Sequence, residues 1–410
     1  MTSRDECVGL DQKDPLAALR SEFILDDSLI YLDGNSLGPL TTSSRERVRT
    51  ATEREWGEGL VRSWGSAGWM EQPTRLGDRV ARLIGAGPGA VVVADTLTFL
   101  LAKLLGTALE LRPGRTTVIT DRANFHSDLY IAEGMARLTS RGVRVVAIDR
   151  NRLDEYLNDD VAVVMLTHVD FRTGEMLDLS GITARVHQAG ALMIWDFAHS
   201  TGAVPLDVTT ANVDFAAGCT YKYVNAGPGG PGFAYVAPRW HAEIRNVLPG
   251  WLGHVAPFDF EETFRPAPGV RQLVTSSPSV LALAALEGAL DVWDRVDMSE
   301  VRTKSLALTD LFIELVEETL PGEFEIATPR SHDQRGSQVA LRHSEGYGIV
   351  RALLERGVIG DFRDPDICRF GFAPLYVRYV DVYDAVGHLV EVLEKGEHQD
   401  DRFRVRHAVT

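Results

Sequence analysis

Three residues able to do chemistry follow two consecutive apolar segments of the chain. Asp196 and His199 come directly after the segment 191–195, and Lys222 comes shortly after the segment 213–218. Short apolar runs bounded by turn residues are typical of buried strands. In an open parallel sheet the carboxyl ends of the strands face one crevice, so these side chains are expected to share a pocket. An apolar pocket lowers the pKa of a lysine, which makes its neutral amine available as a nucleophile and a base.

A carboxylate and a lysine placed in this way suit one cofactor in particular. Pyridoxal phosphate needs a lysine that bonds to its aldehyde and an acidic residue that keeps its ring nitrogen protonated. Each residue also has an ordinary interpretation, because Asp196 could cap a helix and Lys222 could lie on a surface loop. Together with His199 and the Gly/Pro-rich loop 226–232, they favour the cofactor site. We therefore predict that the chain binds pyridoxal 5'-phosphate.

Five short motifs carry a resemblance to a known enzyme family. They are YLDGNSLG (31–38), THVDFRTG (167–174), WDFAH (195–199), YKYVNAG (221–227) and GWLGH (250–254). They closely resemble the motifs of kynureninase, a family of fold-type I pyridoxal phosphate enzymes, and the resemblance extends from about residue 20 to about residue 395. Cysteine desulfurases and ordinary aminotransferases share the aspartate and the lysine but not the first and fourth motifs.

The resemblance implies the hydrolytic cleavage of L-kynurenine, or of its 3-hydroxy form, to L-alanine and an anthranilate. Lys222 would then carry the cofactor and move protons, Asp196 would stabilise the protonated ring, and Tyr221 would relay a proton to the substrate's Cβ. Another fold-type I enzyme, such as a cysteine desulfurase or a class V aminotransferase, would share Asp196 and Lys222 and stays an alternative, as does a non-catalytic pyridoxal-binding protein. The preferred ring substituent cannot be read from the residues.

The resemblance also implies two groups of binding residues. For the cofactor they are Leu97, Thr98, Phe125, Asp128, Thr167, Asp196, His199, Tyr221, Lys222, Trp251 and Ser277. For the substrate they are Arg369, Ser36, Asn35 and Trp64. Trp251 and Ser277 are expected to reach the cofactor phosphate of a neighbouring subunit, which predicts a homodimer with shared active sites.

Several of these residues have structural alternatives. Leu97 and Thr98 begin a predicted helix, whose free N–H groups attract phosphate; Asp95 or Thr96 could cap that helix, and both roles can hold at once. Phe125 could stack on the pyridine ring or could belong to the core. Trp64 has the same two interpretations.

Two further residues combine a structural expectation with a functional one. Ser277, followed by Pro278, suits the N-cap and first position of a helix, so a structural role is expected besides the phosphate contact. Arg369 lies between apolar residues on a predicted strand and should therefore have an anionic partner. The favoured partner is the substrate α-carboxylate, held by two hydrogen bonds, and a buried ion pair is the alternative.

Strands alternate with helices along the chain, which predicts an α/β fold with a mostly parallel sheet. We expect a fold-type I architecture, with a mixed sheet sandwiched by helices in a large domain and a small C-terminal α/β domain. The predicted boundaries are 46–297 for the large domain and 298–410 for the small one. Residues 1–45 are expected to contribute to the small domain and to the active-site loop, and one helix is predicted from Ser43 to about Leu60.

Composition limits the possible partners. The chain has 410 residues, of which 45% are hydrophobic and 24% are charged, as is typical of a globular enzyme. A net charge of −16 without basic stripes argues against nucleic acid. No segment suggests a signal peptide or a membrane span, so a cytoplasmic location is expected. Cys7, Cys219 and Cys368 lack metal or disulfide spacing, and Cys368 is expected to be packed in a strand rather than to act as a nucleophile.

Overall fold

A computed structural model of the protein describes residues 2–139, 141–403 and 406. Strands and helices alternate through most of these residues. The strands are β1 (Ile30–Tyr31), β2 (Val91–Ala94), β3 (Thr117–Asp121), β4 (Arg144–Ile148), β5 (Val161–Thr167), β6 (Leu192–Asp196), β7 (Phe215–Cys219), β8 (Gly232–Val236), β9 (Glu325–Ile326), β10 (Gln338–Arg342), β11 (Val358–Ile359), β12 (Asp361–Arg363) and β13 (Ile367–Gly371). The α-helices are α1 (Arg4–Asp11), α2 (Thr42–Thr50), α3 (Ser63–Ser66), α4 (Gln72–Leu83), α5 (Leu97–Glu110), α6 (His126–Leu138), α7 (Leu153–Tyr156), α8 (Leu179–Gln188), α9 (Val280–Trp293), α10 (Met298–Thr319), α11 (Gly346–Glu355) and α12 (Tyr379–Glu394).

The larger sheet has seven strands in the order β2-β8-β7-β6-β5-β3-β4. Strand β8 runs antiparallel to both of its neighbours, and the other pairings are parallel. The sequence interpretation did not include β8, which is a short run directly after the glycine-rich loop. Because β5, β6 and β7 are buried along their whole length, they carry the continuous apolar runs expected of parallel strands covered on both faces. Their carboxyl ends lie along one edge of the sheet.

Helices cover both faces of this sheet, and one close contact depends on a glycine. Helix α5 is almost entirely buried, which matches its run of leucine and alanine. Helix α2 packs against α9, where a Cβ at Gly288 would lie 2.5 Å from the backbone of Ser44. Only a residue without a side chain allows the two helices to approach so closely. The Ser44 hydroxyl also donates to the Ala285 carbonyl oxygen at 2.7 Å, which fixes the contact.

A second, four-stranded antiparallel sheet has the order β12-β13-β10-β9. Helices α10 and α12 pack against each other in this part of the chain. The N-terminal segment joins it as well, because β1 pairs in parallel with β11 and α1 packs on α12. Asp33 forms a bridge with Gly371 at the end of β13. The loop that follows β1 is thereby held against the C-terminal sheet.

The helix predicted from Ser43 to about Leu60 is wrong in its second half. Helix α2 ends at Thr50, the segment Ala51–Gly59 is a π-helix, and Leu60 has a φ of 54°. Two glycines within the π-helical segment weaken α-helical hydrogen bonding. The hydroxyl of Ser63 donates to the Glu55 carbonyl oxygen at 2.6 Å and helps to hold this wider turn. The chain then reaches Trp64 by a tight turn instead of a straight helix.

All three cysteines are buried and none forms a disulfide. Cys368 lies in the middle of β13, as predicted, with its thiol against the Gly346 carbonyl oxygen at 3.3 Å. In the described part of the chain, no helix has the length and apolar character needed to span a membrane.

Candidate active site

Several predicted site residues lie along the carboxyl edge of four neighbouring parallel strands. Thr167 ends β5 and Asp196 ends β6, and the two residues are direct partners in the register of these strands. Lys222 follows the end of β7 by three residues, and Asp128 lies in the first turn of α6, after β3. The parallel order of the strands therefore places these side chains in one crevice, as the chain order alone suggested.

Lys222 lies at the centre of this crevice and is partly buried. Its Nζ is 2.6 Å from Nε2 of His199, within hydrogen-bond distance. Burial lowers the pKa of Lys222, and the positive charges of Arg369 and Arg363 lower it further. Burial also lowers the pKa of His199 well below its usual value, so this ring is neutral and its Nε2 can accept from the amine. The Lys222 amine is thereby favoured in its nucleophilic form.

Two buried carboxyl groups lie beside the lysine. Asp196 accepts from the Ala198 N–H at 2.7 Å and from the Thr167 hydroxyl at 3.5 Å. Asp128 has one carboxyl oxygen, Oδ2, that is buried without a partner among the described residues. Burial raises the pKa of both groups, and the proximity of Asp196 raises the pKa of Asp128 further. In the described part of the chain, the positive charge that acts on both carboxyls is that of Lys222, and its lowered pKa favours the neutral amine.

These observations fit pyridoxal phosphate. A protonated ring nitrogen would supply a cation beside the two carboxyls, and the Lys222 amine is positioned for its aldehyde. At the expected phosphate end of the cofactor, helix α5 begins without a side-chain cap. Thr96 is at the N-cap position but makes no capping hydrogen bond. Capping by Asp95 is also wrong, because its carboxylate pairs with the buried Lys103 at 2.5 Å. The free N–H groups of this helix end remain available for a phosphate.

A cavity of about 260 Å³ lies beside the start of α5 and is lined by Thr96, Gly229 and Ser277. The expectation that Ser277 caps the next helix is wrong. Helix α9 begins at Val280 with Ser279 at its N-cap, and Ser277 is exposed in the preceding turn. Since its hydroxyl makes no capping bond, Ser277 is free to contact a ligand in this cavity. Its predicted phosphate contact stays a prediction.

Tyr221 and Phe125, two aromatic residues expected at the cofactor, have different surroundings. Tyr221 is half-buried, and the Lys222 Nζ lies 5.9 Å from its ring centre. The neighbouring Cys219 and burial both raise the pKa of the Tyr221 hydroxyl, so it keeps its proton at neutral pH. Phe125 is half-buried at the start of α6, and its ring meets the edge of Phe171 at 5.2 Å. Neither aromatic ring is part of the closed core.

Trp64 and Trp251, which are far apart in sequence, meet in one aromatic group. Their ring centres are 6.4 Å apart, and Trp64 also packs against Trp69 at 5.8 Å. Trp251 contacts the exposed ring of Phe258 at 5.8 Å. The structure thus brings a predicted substrate residue together with a predicted cofactor residue, and adds Phe258, which the sequence interpretation did not include.

Arg369 forms a buried ion pair, which the sequence analysis gave as the alternative to a contact with the substrate's carboxylate. Its guanidinium forms two hydrogen bonds with the carboxylate of Asp361, on the neighbouring strand β12. It also donates to Ser36 Oγ at 2.7 Å and to the Phe171 carbonyl oxygen at 2.5 Å. A buried ion pair therefore exists in addition to any contact with substrate, and the predicted substrate residues Ser36 and Arg369 are hydrogen-bonded to each other.

Asn35 lies behind the pocket instead of in it. Its side chain is completely buried, donates to Gln338 at 3.4 Å and packs against Gly371. Gly38, in the same loop, donates from its N–H to the Tyr221 carbonyl oxygen at 2.8 Å, and a Cβ there would lie 2.2 Å from the Lys222 carbonyl oxygen. The backbone of this loop thus packs against the segment that carries Lys222, and the Ser36 hydroxyl of the same loop contacts Arg369.

Sequence reasoning missed Asp361 and Arg363. A signal for them was present, because the turn residues 364–366 separate two short strand-like runs, and a hairpin there pairs Asp361 with Arg369. It also missed Gln338, whose side-chain amide donates to the carbonyl oxygens of Asp170 and Phe171 at 3.2 and 3.1 Å. No local pattern identifies Gln338, since its partners lie far away in sequence.

Comparisons with known proteins agree with this site. Residues 301–389 match the kynureninase C-terminal domain. The chain is 46% identical to the kynureninases of Pseudomonas fluorescens and of Burkholderia pseudomallei (strain 1106a), with all of each chain covered. Among solved structures, it resembles the cysteine desulfurase CsdA of Escherichia coli, with a TM-score of 0.77, 22% identity, and 93% of this chain and 98% of that chain covered. It also resembles a C-DES mutant with glycine covalently linked to its PLP cofactor, with a TM-score of 0.77, 18% identity, and 95% of this chain and 100% of that chain covered.

The sheet order, the buried lysine and the paired carboxyls define a fold-type I pyridoxal phosphate enzyme. Within that class, the chain belongs to the kynureninase family. The predictions of the family, the α/β fold class, the cofactor and a kynureninase-type hydrolase are therefore confirmed. The kynurenine cleavage predicted from the motifs is confirmed at the level of the family, and the cysteine desulfurase and aminotransferase alternatives are not favoured.

Proposed function

We propose that this chain hydrolyses L-kynurenine, or 3-hydroxy-L-kynurenine, with Lys222, Asp196 and Tyr221 as its catalytic residues. The observation that carries the proposal is the hydrogen bond of 2.6 Å between Lys222 Nζ and the neutral His199, at the strand ends beside Asp196. A lysine in this setting can bond to an aldehyde and can also accept a proton. The products would be L-alanine and anthranilate or 3-hydroxyanthranilate.

Pyridoxal phosphate, when bound, would withdraw electrons from the substrate's α-amino carbon, so that the bond between Cβ and Cγ can break once water has added to the γ-carbonyl carbon. Asp196 and Asp128 would hold the positive charge of the ring, because both carboxyls are buried and Asp128 Oδ2 has no hydrogen-bond partner among the described residues. The Thr167 hydroxyl, which already contacts Asp196, would reach the ring oxygen. Leu97 and Thr98 would bind the phosphate through the free N–H groups at the start of α5.

Lys222 would move the proton at the substrate's Cα. Its lowered pKa favours the neutral amine, which can act as a base, and its hydrogen bond to His199 fixes the orientation of the amine. Tyr221 would deliver a proton to Cβ, because its raised pKa keeps the hydroxyl protonated until a carbanion develops. Arg369 would orient the substrate's carboxylate from the opposite wall, where it lies beside Ser36.

The direct test is a product assay with the purified, cofactor-loaded enzyme. We expect anthranilate and L-alanine in equal amounts from L-kynurenine, and kinetics with the 3-hydroxy form, run side by side, would identify the preferred ring. Sulfide from cysteine or a keto acid from an amino acid, with no anthranilate, would refute the proposal. A desulfurase activity is not expected, since all three cysteines are buried and a sulfur-accepting thiol must be accessible.

We also propose a homodimer with active sites shared between subunits. Large apolar side chains are exposed beside the expected phosphate end of the cofactor. Phe99 follows the start of α5, and Phe260 is 82% exposed close to Phe258. Val61, which is 78% exposed, precedes Trp64, the neighbour of Trp251. A surface of this kind is best explained by a second copy of the chain.

A complementation experiment tests the shared site. Lys222→Ala and Trp251→Ala variants should each be strongly impaired, because one lacks the lysine and the other lacks its contact with the neighbouring site. If subunits exchange, half of the subunit pairs are mixed and each mixed pair holds one intact site, so about a quarter of the wild-type activity should return. Mixed variants that show only the sum of their separate activities would contradict the sharing of sites.

Two predictions from the sequence stay proposals. The domain boundaries at 45/46 and 297/298 are supported by the pairing of β1 with β11 and by the kynureninase C-terminal match from residue 301. Limited proteolysis at the predicted boundaries would test them. The cytoplasmic location would be tested by cell fractionation.

A further inference from the structure

A cluster of charged side chains lies between the loop after β1 and the β12-β13 hairpin. We call it the arginine cluster, and its members are Asp33, Ser36, Asp361, Arg363 and Arg369. Ser36 Oγ is its centre, because it donates to Asp361 at 2.7 Å and accepts from Arg369 at 2.7 Å and from Arg363 at 3.2 Å. The residue expected to hold the substrate's carboxylate is therefore part of a larger assembly.

Arg369 has little capacity left for a new partner. A guanidinium has five N–H bonds. In Arg369, Nε and Nη2 donate to the Asp361 carboxylate, Nη2 also donates to Ser36, and Nη1 donates to the Phe171 carbonyl oxygen. This leaves one N–H, on Nη1. A grip on a second carboxylate by two parallel hydrogen bonds would require release of Asp361, which would leave that buried charge unpaired.

Arg363 differs from Arg369, because it is held in place by two hydrogen bonds and still has a donor for a new partner. Its Nη2 donates to Asp361 at 2.6 Å and to Ser36, so its position is fixed. Its Nε is buried and has no hydrogen-bond partner within the described part of the chain. The side chain as a whole is 36% exposed, so part of the guanidinium-bearing side chain is accessible from outside the protein. A buried N–H without an acceptor is unfavourable, and charged donors of this kind normally have a partner.

The positive charge of Arg363 affects the pKa values of two active-site residues. Together with Arg369, it lowers the pKa of Lys222 and of His199, beyond the effect of burial, so the charge of both arginines acts on these two residues. Burial and the neighbouring Asp361 raise the pKa of Asp33 to about 7. Near neutral pH, the cluster thus holds two guanidinium groups against the Asp361 carboxylate and a partly protonated Asp33. The excess positive charge suits one further carboxylate.

We propose that Arg363 is a substrate-binding residue, which donates from its Nε to the α-carboxylate of the amino-acid substrate while the remaining N–H of Arg369 binds the second oxygen. Asp361 is then a positioning residue, because it pairs with both guanidinium groups. The inference rests on the proposed function only in requiring an amino-acid substrate. It divides the carboxylate contact between two arginines instead of assigning it to Arg369 alone.

The test compares two ligands that differ only in the carboxylate. Cofactor-loaded wild-type and Arg363→Gln enzymes are titrated with L-alanine and with L-alaninamide, and binding is followed by the change in the cofactor's absorption spectrum. We expect Arg363→Gln to weaken L-alanine binding by about tenfold or more and to leave L-alaninamide binding nearly unchanged. Arg342→Gln is the matched control, because Arg342 is a partly exposed arginine of the same sheet that pairs with Glu325 and Asp366. It should alter neither titration.

The outcomes distinguish a direct contact between Arg363 and the substrate's carboxylate from general damage to the binding site. An equal loss for both ligands, or no loss for L-alanine, would overturn the proposal. If Arg363→Gln does not fold, Arg363→Lys keeps the positive charge beside Asp361 but not the Nε donor, and a selective loss for L-alanine is expected there too. Because neither titration requires turnover of kynurenine, the result for Arg363 stands apart from the product assay that tests the reaction.

Discussion

Replacing Lys222 with alanine is expected to lower kcat by about 10⁴-fold or more, since the variant loses both the covalent attachment of the cofactor and the base at Cα. No other described lysine can substitute for it at the strand ends, because the other buried lysines are engaged elsewhere. Lys103 pairs with Asp95, and Lys304 pairs with Asp14 at 2.6 Å. The cofactor could still be retained by its other contacts, so the loss should be chemical and not only a loss of binding.

Absorption spectra and chemical trapping check this prediction. The wild-type protein should be yellow, and borohydride should attach the cofactor permanently to the peptide that contains Lys222. The Lys222→Ala variant should lack both the band and the labelled peptide. Lys395→Ala is a suitable control, since Lys395 is exposed and pairs only with Glu391 on α12. Near-wild-type turnover by Lys222→Ala would exclude this lysine as the catalytic amine.

The second large effect is expected for Asp196→Asn, which should lower kcat by about 10²- to 10⁴-fold. The amide has nearly the same shape as the carboxyl, and its oxygen can still accept from the Ala198 N–H, while its NH2 group can donate to the Thr167 hydroxyl oxygen. It cannot carry the negative charge that keeps the ring nitrogen protonated, and without that proton the ring is a poor acceptor of electrons. Cofactor affinity should fall less than turnover, because the phosphate contacts and Lys222 are unchanged.

Turnover, cofactor content and the spectrum of the variant should therefore be measured together. A control is Asp154→Asn, because Asp154 is an exposed carboxylate that pairs with Arg185 at 2.8 Å. If Asp196→Asn retained normal kcat with bound cofactor, the carboxylate would not be the partner of the ring. The neighbouring Asp128 would then have to supply the charge, which Asp128→Asn would reveal.

Much of the sheet could be predicted because its strands are encoded locally. The runs at 91–94, 117–121 and 161–167 are short and mostly apolar, and each forms a buried strand of the seven-stranded sheet. Strand β8 was missed, since its few residues follow a glycine-rich loop and lack a strong strand pattern. The π-helical segment Ala51–Gly59 was missed too, because its wider hydrogen bonding has no distinctive periodicity.

The sequence by itself determined the reactive pair. Asp196 ends one apolar strand and Lys222 follows the end of the next by three residues, and the chemistry of a carboxylate and a dehydrated amine at the same sheet edge follows from that placement. The five motifs determined the family for the same reason, because each is a continuous stretch of chain whose residues act together.

Only the tertiary structure decided how the carboxylate-binding wall is built. From the sequence alone, the guanidinium of Arg369 is expected to be available for a ligand. The pairing of β12 with β13 instead places Asp361 against it. The loop after β1 places Ser36 between Arg369 and Arg363. These residues lie more than 300 positions apart between the loop and the hairpin, so no spacing rule connects them. The free energy of burying their charges depends on which partners the fold supplies, and local sequence does not contain that information.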